Sequence, residues 1–518
     1  MELENEELGI GNWELIVAAG QTEEVVSRRG GVSPPAQSHY LNAERSPDTK
    51  MMKKRIAILI AALMWALLLP AQAAQVKFGN ASVHDPSVLY DEGSGTYYIY
   101  GSHMQAAKSK DLQDWKLFSK LDKCTLQPEY AVEFKEALTF AEAGTFWAPD
   151  VIQLADGRYY MYYCCCEGSK PLSALGVAVS DSPEGPFENV QILLKSGYPG
   201  YDATKLPNAI DPCVFFDAGG RLWMVYGSYS GGIFLLELDP ETGFIRDGQE
   251  PYGIHLLGGN HSCIEAPYMV YCGETGYYYL FLSFGGLNVN DGYNIRVCRS
   301  KNVEGPYEDA AGHDMRDCMC KPGNFWNNDD IAPYGTKLMG GYTFEPLAGE
   351  NSDRAQVIRS PGHNSAIETE DGWFLIHHTR FIGNDARYIV QTRRMFFNDD
   401  GWPVVAPTRY VTDAAIPEGA ECEPFGTFKV LFHGQDVNKE EHVSVPLEFG
   451  EDFTVSGEIS GTFVSDGDGR IRLTLDGVDY SGFYAVGYDA DQDAFVTTFT
   501  AMSSDGQTVW GVRATGQN

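Results

Sequence analysis

From Val76 onward, the hydrophobic and polar positions follow one pattern that recurs along the chain. Each instance opens with an acidic or polar residue, commonly beside proline, and continues as an apolar strand, a glycine-containing turn and an aromatic strand. The instances are "VHDPSVLYDEGSGTYYIYGS", "WAPDVIQLADGRYYMYYCCC", "IDPCVFFDAGGRLWMVYGS", "IEAPYMVYCGETGYYYLFLS" and "GHNSAIETEDGWFLIHHTR". Turns such as Asp156-Gly157, Gly219-Gly220 and Asp371-Gly372 supply residues that tolerate positive φ. The pattern therefore predicts a series of antiparallel β-hairpins.

The spacing of these hairpins favours a propeller. Their starts lie roughly 50 to 100 residues apart, about one four-stranded sheet each with insertions, and no helical periodicity of useful length separates them. A β-sandwich is the structural alternative, but it would not explain why a polar position opens every hairpin. We therefore predict an all-β fold in which residues 74–410 form a five-bladed β-propeller domain.

After Tyr410 the repeated pattern stops. The segment "EHVSVPLEFGEDFTVSGEISGTFVSDGDGRIRLTLDG" alternates strands and turns at short spacing. This predicts a smaller C-terminal domain, residues 411–518, built as a β-barrel or a β-sandwich.

The N-terminal residues are unlike those that follow. Residues 1–50 are polar with few aromatic side chains, and we interpret them as a misassigned or disordered extension. A basic start is followed by the apolar run Ile56 to Leu69, and then by Ala71-Gln72-Ala73, a small-x-small cleavage site. A membrane anchor is the alternative, but the run is shorter than the ~20 residues that a span requires. We therefore predict a signal peptide at 51–73 and an exported protein, extracellular or periplasmic.

The net charge of the chain limits the kinds of partner that it is expected to bind. The chain of 518 residues has a formal net charge of -33 and 43% hydrophobic residues. Nucleic acid and anionic membranes both require a basic surface, so neither is expected as a partner. A neutral small molecule or polysaccharide fits better, and we expect a monomer with no membrane association after signal cleavage.

The sequence contains eleven cysteines, scattered through apolar strands rather than gathered into a small framework. We interpret them as buried free thiols, with disulfides as the alternative. In Cys164-Cys165-Cys166, strand alternation sends the outer two side chains to one face and the middle one to the other. Cys318 and Cys320 have no partner residues at zinc spacing, so no metal site is expected there.

The polar residues that open the hairpins are the candidate functional residues. In a propeller these positions converge on the mouth of a central channel, which would bring together Asp85, Asp150, Asp211, Glu265 and the pair His363-Asn364. Each acid alone could simply cap a turn. As a set they suit glycoside hydrolysis, in which a protonated acid serves the leaving oxygen while an ionised one activates water or attacks the sugar. Mutual repulsion raises the pKa of one member and keeps it protonated.

These motifs carry a family resemblance. In order, "HDPSV", "WAPDV", "AIDPCVF", "IEAPYM" and "GHNS" resemble glycoside hydrolase family 43, the five-bladed propeller hydrolases that act on arabinan and xylan. The longer stretches "YGTKLMGGYTF" and "RRMFFNDDGWPVVAPTRY" look like its two-domain endo-α-1,5-L-arabinanases. The resemblance runs from about Val76 to the C-terminus.

The resemblance implies catalytic roles at the matching positions. Asp85 would be the general base that activates water, Glu265 the general acid, and Asp211 the residue that raises the pKa of the acid and orients it. The family inverts the configuration at the anomeric carbon. Inversion requires the base and acid carboxyl groups to lie roughly 6.5 to 9.5 Å apart, which leaves room for water.

The resemblance also implies a calcium ion. His363 would lie near the propeller axis beside this Ca²⁺, whose remaining ligands would be mostly water, although calcium prefers oxygen to imidazole. From the residues alone, a single histidine is better explained as a hydrogen-bonded core side chain than as a metal ligand, and only the resemblance reverses this.

Substrate contacts are expected from side chains next to the channel acids. The candidates are His84, Phe146 and Trp147, since sugar rings need aromatic platforms, and packing within the propeller is their alternative role. Asp150 matches the family's "WAPD" acid, which is structural or adjacent to substrate.

The predicted function is a secreted inverting endo-α-1,5-L-arabinanase acting on arabinan or a related plant cell-wall polysaccharide. An exo-acting α-L-arabinofuranosidase or β-xylosidase of the same family is the nearest alternative, since it would share the catalytic acids. An alternative of another class is a carbohydrate-binding propeller without catalysis. The intact acids at Asp85, Asp211 and Glu265 disfavour a binding module.

Overall fold

The repeated segments fold as antiparallel sheets arranged as the five blades of a propeller. The computed structural model describes residues 76–119, 134–168, 170–382 and 387–516. The predicted extension 1–50 and signal peptide 51–73 lie outside the described residues. Within the described part of the chain, no helix is long and apolar enough to cross a membrane.

Each of the first three blades is a sheet of four strands. Blade 1 consists of β1 (Ser87–Asp91), β2 (Thr96–Tyr100), β3 (Ala106–Ser109) and β4 (Lys116–Ser119). Blade 2 consists of β5 (Trp147–Gln153), β6 (Tyr159–Cys166), β7 (Ser173–Ser180) and β8 (Glu188–Ser196). Blade 3 consists of β9 (Cys213–Phe216), β10 (Leu222–Tyr226), β11 (Ile233–Leu238) and β12 (Ile254–Leu257).

The last two blades have longer inner strands. Blade 4 consists of β13 (Ile264–Cys272), β14 (Tyr277–Phe284), β15 (Asn294–Ser300) and β16 (Thr336–Met339). Blade 5 consists of β17 (Tyr342–Thr343), β18 (Ile358–Thr369), β19 (Gly372–Phe381), β20 (Ile389–Phe397) and β21 (Pro403–Val405). The α-helices of the described residues are α1 (Lys135–Phe140) and α2 (Asn328–Ile331), and the 3-10 helices are Ser102–Met104, Met315–Asp317, Ser352–Arg354 and Asp413–Ala415.

The C-terminal segment forms a closed barrel of eight strands, which decides between the barrel and sandwich alternatives. Its segment contains β22 (Gly426–Phe432), β23 (His442–Val443), β24 (Val445–Phe449), β25 (Thr454–Gly457), β26 (Gly461–Ser465), β27 (Arg470–Leu475), β28 (Val478–Asp489), β29 (Ala494–Ser503) and β30 (Thr508–Arg513). Seven of the barrel strands follow β23, and β23 itself leaves the barrel to pair in parallel with β17. The barrel domain thus extends the sheet of blade 5.

The propeller core consists of hydrophobic clusters that lie between neighbouring blades. Strand β6 is buried along its whole length because both faces of its blade are covered. Cys164 and Cys166 pack toward blade 3, whereas Cys165 packs toward blade 1. This confirms the predicted alternation, and the ten described cysteines are all free thiols.

The ring closes where blade 1 meets blade 5. Ile99 and Trp115 of blade 1 share one hydrophobic cluster with Phe374 and Ile376 of blade 5. The indole Nε1 of Trp115 also donates a hydrogen bond of 3.1 Å to the hydroxyl of Thr392 in β20. Packing and side-chain hydrogen bonds such as this one therefore join the first blade to the last.

The buried side chain of Arg296 connects blade 4 to the barrel domain. One terminal nitrogen of its guanidinium donates to the carbonyl groups of Ala332 and Tyr334, at 2.7 and 2.6 Å. The other donates to the carbonyl groups of Gln435 and Asp436, at 2.8 and 3.1 Å. The side chain has no exposed surface, so these hydrogen bonds take the place of water around its charge.

We expect Arg296→Met to lower the free energy of unfolding by about 3 kcal/mol, because it removes the hydrogen bonds by which a charged donor joins blade 4 to the barrel domain. Chemical denaturation of the full chain measures this. The control is Arg316→Met, which removes an exposed, solvent-screened arginine paired with Asp314 and should leave stability nearly unchanged. Equal stability of the two variants would contradict the structural role of Arg296.

Candidate active site

One residue near the channel end of every inner strand has a left-handed backbone. These residues are Asp85, Ala148, Asp211, Ala266 and His363, with φ of 59°, 25°, 55°, 56° and 44°. In β5, β13 and β18 this point coincides with a shift in strand register. Such bulges re-aim side chains next to functional sites. Because a left-handed residue other than glycine costs about 1 to 2 kcal/mol, its presence in all five blades indicates a constraint shared by the ring.

A cavity of about 400 Å³ opens at this end of the channel. The predicted site residues that line it are His84, Asp85, Trp147, Asp211, Glu265 and His363. Asp150, Phe146 and Asn364 are not among its lining residues. The structure thus brings the three predicted catalytic acids together from blades 1, 3 and 4.

Asp85 is buried and surrounded by donors. The hydroxyl of Ser102 donates to Oδ2, while Oδ1 lies 2.9 Å from Nδ1 of His363 and 3.1 Å from Nε2 of His84. Burial alone would raise the pKa of Asp85, but the charge of His363 and its hydrogen bond to the carboxylate outweigh burial and hold this pKa far below its usual range. Burial likewise opposes a charge on His363, yet Asp85 raises the pKa of His363 to about 9. Asp85 is therefore ionised, as a general base must be.

Neutral imidazoles fix the position of Asp85. Its backbone N–H donates a 3.1 Å hydrogen bond to Nδ1 of His378, which assigns the ring proton of His378 to Nε2. His84 stacks on Tyr388 with ring centroids 3.8 Å apart, and burial lowers the pKa of His84 to about 4. Both rings are thus neutral at pH 7 and orient the carboxylate without a full opposing charge.

Asp211 and Glu265 form the second half of the site. The N–H of Ala266 donates to Asp211 at 3.2 Å, and the hydroxyls of Ser228 and Tyr293 donate to Glu265 at 2.8 and 2.9 Å. Burial raises the pKa of Asp211 to about 8, and the charge of Glu265 adds to this effect. Burial also raises the pKa of Glu265. The pair therefore retains a proton near neutral pH, although the individual titrations are shared.

This arrangement separates an ionised carboxylate from a protonated pair within one cavity. Environment has pushed the pKa values of chemically similar groups apart, which is how acid and base roles are divided in enzymes. The cavity can therefore supply a proton to a leaving oxygen from Glu265 and accept one from water at Asp85.

The structure places Asp150 away from the cavity, which corrects its predicted position in the ring of channel acids. The hydroxyl of Ser87 in blade 1 and the N–H of Val214 in blade 3 both donate to its carboxyl group, the latter at 2.6 Å. Burial raises the pKa of Asp150 to about 6. Asp150 therefore links three blades, and the structure gives it no contact surface for substrate.

Of the aromatic candidates, Phe146 is also corrected. It packs edge-on against Phe134 and Tyr163 at centroid distances of 5.0 and 5.7 Å, in the core between blades 1 and 2. Trp147, the next residue, lies on the cavity, and its Nε1 donates to the carbonyl of Cys166 at 3.0 Å. Strand alternation sends the two neighbours to different sides, so only Trp147 and His84 remain available to a sugar.

Sequence reasoning missed the serines that support the site. Ser102 and Ser228 each lie two residues after the second strand of their repeat, in "YGS", and Ser283 is the last residue but one of the second strand of its repeat, in "FLS". The hydroxyl of Ser102 donates to Asp85, and that of Ser228 donates to Glu265. The hydroxyl of Ser283 accepts a hydrogen bond of 2.8 Å from the N–H of His363. Their shared position within three repeats was the signal that could have identified them.

The expected calcium ligand, His363, can be tested against the donors around it. Its Nδ1 lies against Asp85, so Nε2 is the ring nitrogen left to face the cavity. One nitrogen is a poor calcium site by itself, because this ion takes six to eight oxygen ligands. The buried carboxylates of Asp85, Asp211 and Glu265 nevertheless favour a positive charge here. The residues therefore fit calcium if water supplies most of its ligands.

A second group of possible ligands lies beside the first. His84, Asp85 and His378 have ligand atoms within 4.8 Å of one another. Two nitrogens and one oxygen suit a transition metal better than calcium. Since Nδ1 of His378 already accepts a hydrogen bond from Asp85, this group is accounted for as the support of the carboxylate.

Comparison with known proteins covers both domains. Residues 78–329 match the family described as glycosyl hydrolases family 43, and residues 407–511 match the family described as its C-terminal lipocalin-like domain. These matches agree with the resemblance carried by the sequence motifs.

Two relatives and one solved structure extend the match over most of the chain. Extracellular endo-alpha-(1->5)-L-arabinanase 2 of Bacillus subtilis is 46% identical over 87% of this chain and 97% of that protein. Extracellular endo-alpha-(1->5)-L-arabinanase of Thermotoga petrophila is 41% identical over 85% of this chain and 95% of that protein. The crystal structure of a family 43 glycoside hydrolase from Bacillus licheniformis aligns with a TM-score of 0.79 and 45% identity, covering 85% of this chain and all of that one. With such identity across both domains, the chain belongs to glycosyl hydrolases family 43.

Proposed function

We propose that the protein is a secreted endo-α-1,5-L-arabinanase that cleaves internal bonds of arabinan with inversion of configuration. The observation that carries this proposal is the convergence of Asp85, Asp211 and Glu265 on one cavity, with one carboxylate ionised and a proton held by the other two. The names of the relatives from Bacillus subtilis and Thermotoga petrophila supply the substrate class and the extracellular location. The predicted signal peptide at 51–73 supports export.

In the proposed reaction, Asp85 accepts a proton from a water molecule as that water attacks the anomeric carbon. Glu265 donates its proton to the departing glycosidic oxygen. Because the water attacks from the face opposite that oxygen, the product carries the inverted configuration. Asp211 acts through Glu265, since its nearby carboxyl group disfavours a second negative charge. Ser228 and Tyr293 hold the carboxyl group of Glu265 in place.

Both sides of the cavity offer surface to a polymer. Trp147 and Pro171 line it from blade 2, whereas His261 and Trp326 line it from the side of blades 3 and 4. The catalytic acids lie in the same cavity, so sugar rings on both sides of the cleaved bond would find protein surface. This supports internal cleavage.

We propose further that a calcium ion binds beside His363, whose Nε2 would be its protein ligand in place of the proton that this nitrogen carries when His363 is an imidazolium. When bound, the ion would supply positive charge that stabilises the neighbouring carboxylates. The support is the excess of buried carboxylates over cationic groups around His363.

Product analysis tests the substrate and the mode of cleavage. Protein expressed from Ala74 is incubated with linear and with branched arabinan, and chromatography follows the products over time. We expect early arabino-oligosaccharides of mixed length from the linear polymer. Arabinose alone from the first time point would instead establish exo action, and polymer binding without any product from arabinan or xylan would establish the non-catalytic alternative.

Glu265→Gln tests the general acid. The amide cannot donate the proton, so kcat/KM on linear arabinan should fall by about 10² to 10⁴. On an aryl arabino-oligosaccharide the loss should be much smaller, because a phenolate leaves without protonation. Chromatography and phenolate absorbance measure the two rates.

Two variants serve as controls for Glu265→Gln. Asp85→Asn removes the base and should lose activity on both substrates. Asp291→Asn changes an exposed carboxylate on the same cavity and should remain near wild type. Full activity of Glu265→Gln on arabinan, with an unchanged melting curve, would exclude Glu265 as the acid.

Chelation tests the calcium ion. Because calcium would bind only the folded protein, its presence at 100 times Kd should add about 2.7 kcal/mol of stability. We expect a chelator to lower Tm and added Ca²⁺ to restore it, with no such response in His363→Ala. The matched control His313→Ala changes a partly exposed histidine beside Asp309 and should keep the response. Purified protein with no calcium by atomic emission and no shift in Tm would reject the ion.

A further inference from the structure

The rim of the cavity carries an aromatic side chain that the proposed mechanism does not use. Trp326 has 59% of its surface exposed, more than any other described tryptophan, tyrosine or phenylalanine. It lines the same cavity as Asp85, Asp211 and Glu265. Scattered exposed apolar residues are normal on a protein surface, so exposure alone would mean little.

The packing of Trp326 leaves its indole partly covered and partly open. The imidazole of His261 lies 5.0 Å from the indole, between ring centroids, at an angle of 31°. Phe325 packs edge-on against both rings, at 5.8 Å from Trp326 and 5.2 Å from His261. The imidazole of His261 thus supports the indole from the protein side, whereas Phe325 meets both rings edge-on and lies outside the cavity lining.

The two loops that carry these rings are tied together. The N–H of Trp326 donates to the carbonyl of His261 at 3.3 Å. Nearby, the amide nitrogen of the Asn260 side chain donates to the carbonyl of Cys320 at 2.9 Å, and the N–H of Cys320 donates to the hydroxyl of Ser262 at 2.8 Å. Cys320 is fully buried, so these bonds connect the rim to the core.

The backbone of this rim also adopts an energetically unfavourable conformation. Asn260, His261 and Trp326 have φ of 50°, 55° and 56°, a region that side chains larger than glycine rarely adopt. Non-glycine residues held in this region cluster at binding and active sites, where the surrounding structure compensates for the strain. Trp326 therefore combines an exposed indole, a strained backbone and a loop that hydrogen bonds hold to the core.

We propose that Trp326, supported by His261, is the stacking platform for an arabinofuranose ring that binds away from the cleaved bond, on the side of blades 3 and 4. This inference rests on the proposed function, since arabinan supplies the ring. A furanose presents C–H groups that pack against an aromatic face, and a rigid indole offers this contact with little loss of conformational entropy. The platform contributes binding only to chains long enough to reach it.

Trp326→Ala should show an effect that depends on substrate length. Initial rates are measured on purified linear arabino-oligosaccharides of increasing length and on linear arabinan. We expect kcat/KM to fall about tenfold for the longest chains, and to stay unchanged for the shortest chains that the wild type cleaves. A uniform loss at all lengths, or no loss at any length, would overturn the proposal.

Two variants control for damage to the loop. Phe325→Ala removes an aromatic ring that packs on the same His261 but does not line the cavity, and it should keep the wild-type length dependence. Trp326→Phe retains a flat aromatic face and should recover most of the lost kcat/KM. Loss of length dependence in Phe325→Ala to the same degree would assign the effect to loop structure and contradict the platform.

Binding is measured separately from catalysis. In the background of Glu265→Gln, calorimetry compares Kd for a long arabino-oligosaccharide with and without Trp326→Ala, and about tenfold weaker binding is expected. If the wild type does not cleave arabinan, the proposed function fails whatever Trp326 does. If it does, and calorimetry shows equal Kd values, only the platform is rejected.

Discussion

The contact between Asp85 and His363 is the interaction on which the site depends most. Asp85 belongs to blade 1 and His363 to blade 5, so their 2.9 Å contact spans the seam at which the ring closes. The hydrophobic cluster around Ile99 and Ile376 holds the same seam together. A buried carboxylate needs charge and donors around it, and only a closed ring brings them from the last blade to the first. Closure of the propeller ring therefore also creates the environment that keeps Asp85 ionised.

Elsewhere in the channel, polar side chains also make contacts between neighbouring blades. Serines at the ends of second strands support the base and the acid, and Ser228 reaches from blade 3 to Glu265 in blade 4. Asp150 joins blades 1, 2 and 3 beneath the cavity. Polar residues that look equivalent in the repeat thus divide into those that face the substrate and those that hold blades in place. The division is possible because a left-handed residue near the channel end of each inner strand, joined by a bulge in β5, β13 and β18, sets where its side chains point.

The barrel domain is part of this framework. Strand β23 extends the sheet of blade 5, and Arg296 of blade 4 donates to carbonyl groups in the segment that leads to it. The barrel thus contacts the two blades that supply Glu265 and His363. Loops of blade 4 also shape the cavity rim, where His261 and Trp326 lie. The blades that pack against the barrel domain are therefore the same blades that shape the cavity.

The sequence by itself determined the five hairpins, the propeller and the convergence of Asp85, Asp211, Glu265 and His363, because a period of two residues and a recurring polar position are local patterns. It also indicated buried free cysteines. Tertiary structure decided which polar positions face the cavity, since Asp150 and Phe146 are oriented by local backbone bulges that no period reveals. It alone placed Trp326 on the rim, because two loops distant in sequence meet there. Protonation states likewise depend on burial and on charges contributed by other blades.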